Sequence, residues 1–233
     1  MWGGTWYDFM GECDLVLLKG QMASKDVNIH IRTKIRYDYS FIETAAIQFG
    51  DDVLEVSSWG RYSLNGIDHA DLSQQDSLSV EHSKTNDKED VFTIKLPKGQ
   101  NIVVKSFKDM VSVQPKLAIP SAQGLLGEYG TNNMLARDGK TILEDPNAFG
   151  QEWQVREDEP HLFSTMRAPQ HPHAKCTMPD ASAKVTRRRL GETVARAAAE
   201  AACEHWGEQK ELCMTDVMKT GDLDYANAGP HVF

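Results

Sequence analysis

Apolar and polar side chains alternate over the segment that runs from residue 27 to residue 37. The apolar positions are Val27, Ile29, Ile31, Ile35 and Tyr37, and the positions between them carry polar or charged groups. Because successive side chains of a β-strand point to opposite faces, this period of two predicts a strand with one dry and one wet face.

Turn residues divide the surrounding sequence into further short strands. Three hairpin turns are predicted, at Gly50-Asp51-Asp52, Asn65-Gly66 and Pro97-Lys98-Gly99. Asn and Gly tolerate the positive φ that a two-residue hairpin loop demands. The charged segment from Ser83 to Asp90 predicts a loop. Turn signals roughly every 8 to 12 residues indicate a mainly β fold, an antiparallel sandwich or barrel rather than a βαβ arrangement.

The pattern changes after Pro160. Residues 169–179 lack periodicity and predict a linker or surface loop. Asp180 can cap a helix that runs to Ala202 and stops at Gly207, and a second short helix is predicted from Glu208 to Met218. We therefore expect a β domain over residues 1–165, a linker over 166–179 and a small helical hairpin over 180–233.

The composition narrows the classes of partner. A formal net charge of -9 repels polyphosphates, so nucleic acid is not an expected partner. No apolar run reaches the roughly 20 residues that cross a bilayer, so membrane insertion is not expected either. The N-terminus also lacks the basic and apolar segments of a secretion signal.

Four cysteines are spread widely along the chain, at Cys13, Cys176, Cys203 and Cys213. An even number suits two disulfide bonds, and four cysteines allow three pairings. Four buried or free thiols are the alternative, because unpaired cysteine is also among the most buried residue types. Spacing does not choose among these arrangements.

Three blocks of sequence resemble a known family, the von Willebrand factor type D domain. The first is Trp2-Gly3-Gly4-Thr5-Trp6-Tyr7-Asp8-Phe9-Met10-Gly11-Glu12-Cys13, which is followed by an apolar run. The second, Gly124-Leu125-Leu126-Gly127-Glu128-Tyr129, resembles the Gly-Leu-Cys-Gly-Asn-aromatic signature of the family. The third, Asp145-Pro146-Asn147-Ala148-Phe149-Gly150-Gln151-Glu152-Trp153-Gln154-Val155, resembles its closing Phe-Gly-x-x-Trp-x-Val strand. The blocks occur in the order that the family shows.

The resemblance implies a structural role for several residues. It implies a disulfide bond between Cys13 and Cys176, which leaves Cys203 and Cys213 as a second pair on neighbouring helices. Trp6, Tyr7, Phe9 and Trp153 are expected in the core, together with the alternating aliphatic residues. Because Met1 falls almost on the opening block, we expect the chain to be a truncated piece of a longer, secreted protein.

Members of this family often hold calcium in the loop that follows the second block. A hard cation needs six to eight oxygen ligands. Glu128, Asn132 and Asn133 are the candidate ligands here, but Met134 stands where an Asp is usual and Gly130 offers no side chain. Calcium binding and an Asn/Gly-rich surface turn are both compatible with this loop.

The resemblance implies a non-enzymatic extracellular module for adhesion or matrix assembly. Its partners would be other extracellular or matrix proteins, or further copies of the same chain. No Gly-x-Ser-x-Gly elbow, ordered catalytic triad or phosphate-binding glycine loop is present. Two alternatives stay open: the type D domain of a vitellogenin-like lipid-transfer protein, and a hydrolase with an unrecognised site, which a perturbed His or Cys in a cleft would favour.

Overall fold

Two antiparallel sheets form the body of the protein. The computed structural model describes residues 2, 4, 7–36, 38–73, 78–167, 175–180 and 194–228. Six strands form the larger sheet in chain order: β1 (Asp14–Met22), β2 (Lys25–Arg36), β3 (Tyr39–Phe49), β4 (Asp52–Ser57), β5 (Tyr62–Leu64) and β6 (Ile67–Asp68).

The smaller sheet is a four-stranded meander. Its strands lie in the order β10-β9-β8-β7. They are β7 (Ser79–Asn86), β8 (Glu89–Lys95), β9 (Asn101–Phe107) and β10 (Met110–Lys116). A separate two-stranded ribbon joins β11 (Met134–Leu135) to β12 (Ile142–Leu143).

Apolar residues from both large sheets meet in one hydrophobic core. Leu54 and Val56 of β4, Phe92 and Ile94 of β8, and Val104 of β9 are all fully buried in it. Two antiparallel sheets that share one core form a β-sandwich. The predicted fold class, mainly β with small C-terminal helices, is therefore confirmed.

The predicted hairpin turns are present. Asn65 and Gly66 both have positive φ, at 52° and 78°, and they connect the paired residues Leu64 and Ile67. This is the geometry of a two-residue type I′ loop, for which Asn-Gly is the preferred sequence. The turns at 50–51 and 97–99 likewise connect β3 to β4 and β8 to β9.

Two predictions about β2 and β7 are wrong. Asn28 and His30 of β2 are buried, so the strand has no wet face over this stretch. Residues 160–165 cover that face, and Leu162 and Phe163 pack on Ala46 of β3. The segment from Ser83 to Asp90, expected as a charged loop, is instead the end of strand β7, a turn at residues 87–88 and the start of β8, so β7 was missed. It lies at the edge of its sheet, where neither face is buried and an apolar alternation is not required.

The third block of the resemblance was expected to form a strand, but its residues 146–152 form a helix. This expectation is therefore wrong. Helix α1 (Pro146–Glu152) is capped by the Asp145 carboxylate, which accepts hydrogen bonds from the backbone amides of Asn147 and Ala148. Asp at the cap and Pro in the first turn are a standard helix start, and they outweigh the strand pattern. Only Trp153 to Val155 pair with β1, through backbone bonds to Asp14 and Val16.

The C-terminal tail folds into short helices. These are α2 (Arg196–Ala202), a 3₁₀ turn (Glu204–Gln209), α3 (Lys210–Thr220) and α4 (Tyr225–Ala228). Gly221 closes α3 with a positive φ, as its position after the last helical residue predicts. Ala195 precedes α2 in an extended conformation, so the predicted continuous helix through Val194 is wrong. Residues 181–193 lie outside the described residues.

The tail packs on the sandwich instead of standing apart from it. Cys203, Cys213, Val217 and Tyr225 share a second hydrophobic cluster with Phe107 and other residues of β3, β9 and the start of β10. Ion pairs border this cluster. The Lys108 ammonium lies 2.5 Å from carboxylate oxygens of both Asp222 and Asp224.

The structure contains two disulfide bonds, which join Cys13 to Cys176 and Cys203 to Cys213. The first closes a loop with a sequence separation of 163 residues, and the second a separation of 10. Since loop closure removes entropy from the unfolded chain, the long loop contributes the larger share of stability.

We predict unequal losses when the two bonds are removed. The double substitution Cys13→Ala and Cys176→Ala should lower the free energy of unfolding by about 5 kcal/mol, and the matched pair Cys203→Ala and Cys213→Ala by about 3 kcal/mol. Urea unfolding of both variants measures the difference. Equal losses would show that loop closure is not the source of the stabilisation.

Candidate functional site

The Cys13–Cys176 bond lies at the centre of a hydrogen-bonded junction. On either side of it, Glu12 and Thr177 exchange two backbone hydrogen bonds, with N···O distances of 2.7 and 3.2 Å. The Thr33 hydroxyl donates to the carbonyl oxygen of Gly11 at 2.8 Å and accepts from the amide of Cys13 at 3.0 Å. Both cysteines are buried and the neighbouring backbone is hydrogen-bonded, so covalent and polar contacts together hold the junction.

The free edge of β1 is covered by two later segments. Gln123 pairs with Lys19 and the amide of Leu125 donates to Val16, while Gln154 pairs with Leu15 farther along the strand. An uncovered edge strand is a template for uncontrolled association. This edge is therefore closed to a partner strand.

A buried ion pair anchors the covering segment to the outer face of the large sheet. The Arg32 guanidinium donates two hydrogen bonds to the Asp14 carboxylate, at 2.7 and 2.8 Å, and Asp14 is only 2% exposed. The same guanidinium donates to the carbonyl oxygen of Thr165 and lies 4.4 Å from the centre of the Phe163 ring. Arg32 therefore joins β1, β2 and residues 163–165.

A second ionic contact holds the segment that follows α1. Arg137 donates two hydrogen bonds to the Glu159 carboxylate, at 2.6 and 3.0 Å, and its guanidinium lies 4.6 Å from the centre of the Trp153 ring. Burial disfavours the charged form of Glu159, but hydrogen bonds from Arg137 and Arg156 outweigh it and hold the pKa below its ordinary value. Glu159 therefore stays ionised.

His30 is buried beneath residues 160–165. Its Nδ1 atom has no hydrogen-bond partner among the described residues, and its ring centre lies 6.4 Å from that of Phe163. Burial lowers the pKa of His30 to about 4, although the carboxylates of Glu159 and Asp14 act in the opposite direction. His161 and Lys19 add smaller effects that lower the pKa further. The imidazole is therefore neutral at physiological pH.

A perturbed His or Cys in a cleft would favour the hydrolase alternative. His30 is perturbed, but it is only 4% exposed and lines neither of the two cavities described below. All four cysteines are in disulfide bonds, so the chain offers no thiolate nucleophile. His30 is therefore better explained as a buried neutral group under the covering segment.

The predicted calcium ligands lie in a loop that is closed by its own hydrogen bonds. The Glu128 carboxylate accepts from the Asn133 side-chain amide at 2.7 Å and from the Thr131 hydroxyl at 3.2 Å. The structure thus brings Glu128 and Asn133 into direct contact, while Asn132 is exposed. In the described part of the chain, no three His, Cys, Asp or Glu side chains are grouped to hold a metal ion. Calcium binding at this loop stays a prediction.

A polar cleft of about 340 Å³ opens on the larger sheet. Two of its acidic side chains already have partners: Glu43 pairs with Lys34 at 2.7 Å, and Glu55 accepts from the Ser164 amide at 2.8 Å. The remaining wall includes Arg61, Asp68 and His69. Its lining is largely polar, which suits a hydrated surface better than an apolar ligand.

Trp59 is a candidate functional residue that the sequence pattern did not reveal. It lies in the turn between β4 and β5, and its side chain is 59% exposed. Its backbone has φ 62° and ψ 31°, the left-handed region that Asn and Gly prefer and that bulky residues avoid. Neither core packing nor backbone preference accounts for a tryptophan here. The only sequence signal is the dipeptide Trp59-Gly60 between two strands.

The turn that carries Trp59 is firmly attached to the smaller sheet. The Trp59 amide donates to the carbonyl oxygen of Lys108 at 2.6 Å, and the Gly60 amide donates to the Ser106 hydroxyl at 2.9 Å. A Cβ on Gly60 would lie 2.2 Å from an oxygen of Asp90, so any larger residue beside Trp59 would have to displace that carboxylate. The exposed indole is thus presented on a fixed backbone.

We predict that His30 makes the fold sensitive to acid. Its pKa is about 4 in the folded chain and 6.5 when exposed, so the native state favours the neutral form. The stabilisation is complete above pH 6.5 and is lost as the pH falls towards 4, by up to about 3 kcal/mol. The neutral variant His30→Met should show a shallower loss of unfolding free energy between pH 7 and 4.5. Parallel stability curves for the two proteins would contradict this assignment.

Within the described residues, no helix is long and apolar enough to cross a membrane. No protein-family model matches the chain, and no similar sequence is found among curated proteins. The resemblance to the type D domain therefore stays a prediction, and what the protein does must be inferred from its own residues.

Proposed function

We propose that this protein is a non-enzymatic extracellular module that is stiffened by disulfide bonds and associates with other proteins. The observation that carries the proposal is the pairwise bonding of all four cysteines, with none left as a free thiol. Disulfide bonds persist in oxidising compartments and are rare where glutathione keeps thiols reduced.

The position of the first bond supports a mechanical role. It joins the start of β1 to residue 176, which follows the segment that covers the outer face of the sheet. A pulling force on either side of this loop would act on the covalent bond before it reached the hydrogen bonds of the sandwich. The 163-residue separation places most of the β-structure inside the closed loop.

Trp59 marks the surface that we propose for association. Tryptophan is enriched among the residues that dominate binding energy at protein interfaces. An aromatic held in an unfavourable backbone region and left exposed is typical of a functional position. Other extracellular or matrix proteins, or a second copy of this chain, are the proposed partners.

The neighbouring surface is polar and suits the rim of an interface. Strand β7 lies at the edge of the smaller sheet, and its side chains are almost all exposed. The turn after β7 adjoins Trp59, because the Lys108 amide donates to the carbonyl oxygen of Lys88 and Lys108 in turn accepts from Trp59. An aromatic centre with a polar, solvated border is the usual anatomy of a reversible protein interface.

We predict that Trp59→Asn separates association from stability. Asn suits the left-handed backbone, so the free energy of unfolding should stay constant or rise by up to about 1 kcal/mol. Loss of an interface anchor should weaken association by at least about 30-fold. Sedimentation velocity measures self-association, and surface plasmon resonance measures binding to fibronectin, laminin and collagen.

The matched control is Ile67→Asn, which removes a side chain that is 65% exposed on β6 of the larger sheet. This variant should retain the association of the original protein. The assignment of Trp59 is wrong if both variants bind alike, and the association function itself is wrong if the original protein binds neither itself nor any of the three matrix proteins.

The proposed extracellular location can be tested through the state of the cysteines. Non-reducing peptide mapping of the protein from its native source should recover Cys13 linked to Cys176 and Cys203 linked to Cys213. Alkylation of all four cysteines without prior reduction would show free thiols, and it would refute the extracellular assignment.

A further inference from the structure

An apolar cavity of about 90 Å³ lies between helix α3, the N-terminal segment 7–10 and the larger sheet. Its base is formed by buried side chains of the sandwich, which include Leu15, Leu17, Ile31, Phe41 and Met110. Protein interiors are normally packed without voids larger than a water molecule. A cavity of this size is therefore a feature that needs an explanation.

The cavity lies where the two hydrophobic clusters of the protein meet. Leu15 and Ile31 belong to the cluster inside the sandwich, whereas Phe41 and Met110 belong to the cluster under the tail. Leu212 of α3 completes the wall. Two contacts keep the tail from closing the gap. The Cys203–Cys213 bond fixes the start of α3. The contacts of Lys108 with Asp222 and Asp224 fix the segment after α3.

The size and the apolar lining of the cavity favour an unbranched hydrocarbon chain. An apolar cavity of about 150 Å³ accepts a benzene ring. The cavity here is smaller and reaches the surface at the exposed residues Asp8 and Thr215, so a narrow chain can enter it more readily than a ring. Its lining is predominantly apolar, which excludes a ligand that is polar throughout.

The mouth of the cavity favours an uncharged head group. Asp8, Asp216 and Lys219 lie there beside the exposed Thr215. Among the described residues the mouth carries two carboxylates and one ammonium, a balance that disfavours an anionic head group. Their oxygens can instead accept hydrogen bonds from a hydroxyl.

We propose that this cavity binds the alkyl chain of a neutral single-chain amphiphile, with the hydroxylated head group at the mouth beside α3. The chain displaces no structural contact, since the base of the cavity is preformed by core residues of the sandwich. This binding activity is separate from the association surface around Trp59, and neither depends on the other.

A series of n-alkanols tests the proposal. Isothermal titration calorimetry of the full chain with n-butanol to n-decanol should show the affinity rising about fourfold for each added methylene, which is the effect of burying one CH₂ group. The rise should stop once the cavity is filled. Alkanoates of equal chain length should bind more weakly, because their carboxylate meets the negative mouth.

Two variants of one residue locate the site. Thr215→Trp places a bulky side chain at the mouth and should weaken n-octanol binding at least about tenfold, the effect of losing roughly two buried methylenes. Thr215→Ser is the matched control and should bind as the original protein does. Thermal unfolding of both variants confirms that each is folded.

Three results would overturn the proposal: no measurable binding of any n-alkanol, affinity that does not depend on chain length, or equal binding by Thr215→Trp and Thr215→Ser. If alkanoates bind more tightly than alkanols, the proposed neutral head group is wrong. Xenon serves as an independent probe, because Thr215→Trp should also reduce its binding to the same cavity as measured by ¹²⁹Xe NMR.

Discussion

Cys13 and Cys176 are covalently joined although 163 residues separate them in the chain, and most of the sandwich lies between them. The bond lowers the entropy of the unfolded chain, and its surroundings keep it in place. Glu12 and Thr177 pair beside it, and the Thr33 hydroxyl donates to the carbonyl oxygen of Gly11 and accepts from the amide of Cys13. The start of β1 is thereby fixed, and β1 pairs along its length with β2, the next strand of the larger sheet.

Polar contacts hold residues 160–165 over the outer face of this sheet. The outer face of β2 carries His30 and Arg32, which would ordinarily lie in water. Residues 160–165 lie over them instead, held by the Arg32 contacts with Asp14 and Thr165. An ion pair buried in this way leaves a costly unpaired charge if either partner is removed. The cover therefore depends on charge complementarity as much as on Leu162 and Phe163.

The tail adds a second apolar cluster that does not merge fully with the first. Short helices joined by Cys203–Cys213 form a compact unit, and the ion pairs of Lys108 attach it to the turn between β9 and β10. A unit with fixed geometry cannot adjust every side chain to the sheet beneath it. The apolar cavity is the result, and it gives the protein an internal surface distinct from the exposed Trp59.

Local sequence was sufficient for most strands and turns of the sandwich. Alternating residues such as Phe92 and Ile94, and turn pairs such as Asn65-Gly66, act over a few neighbouring positions, so period and backbone preference predicted them. The Asp145-Pro146 start of α1 was also a local signal, although the resemblance to a closing strand concealed it. These features follow from propensity and hydrophobic pattern, which need no knowledge of distant contacts.

Long-range packing decided the features that the sequence did not predict. The sequence could not show that β2 is covered on both faces, because the covering residues lie more than a hundred positions away. It also could not show that β7 is a strand, because an edge strand exposed on both faces keeps no apolar alternation. The sequence by itself determined the class of fold and the number of disulfide bonds that it can form. Only the tertiary structure decided where Trp59 and the apolar cavity lie, because both arise from contacts between segments distant in the chain.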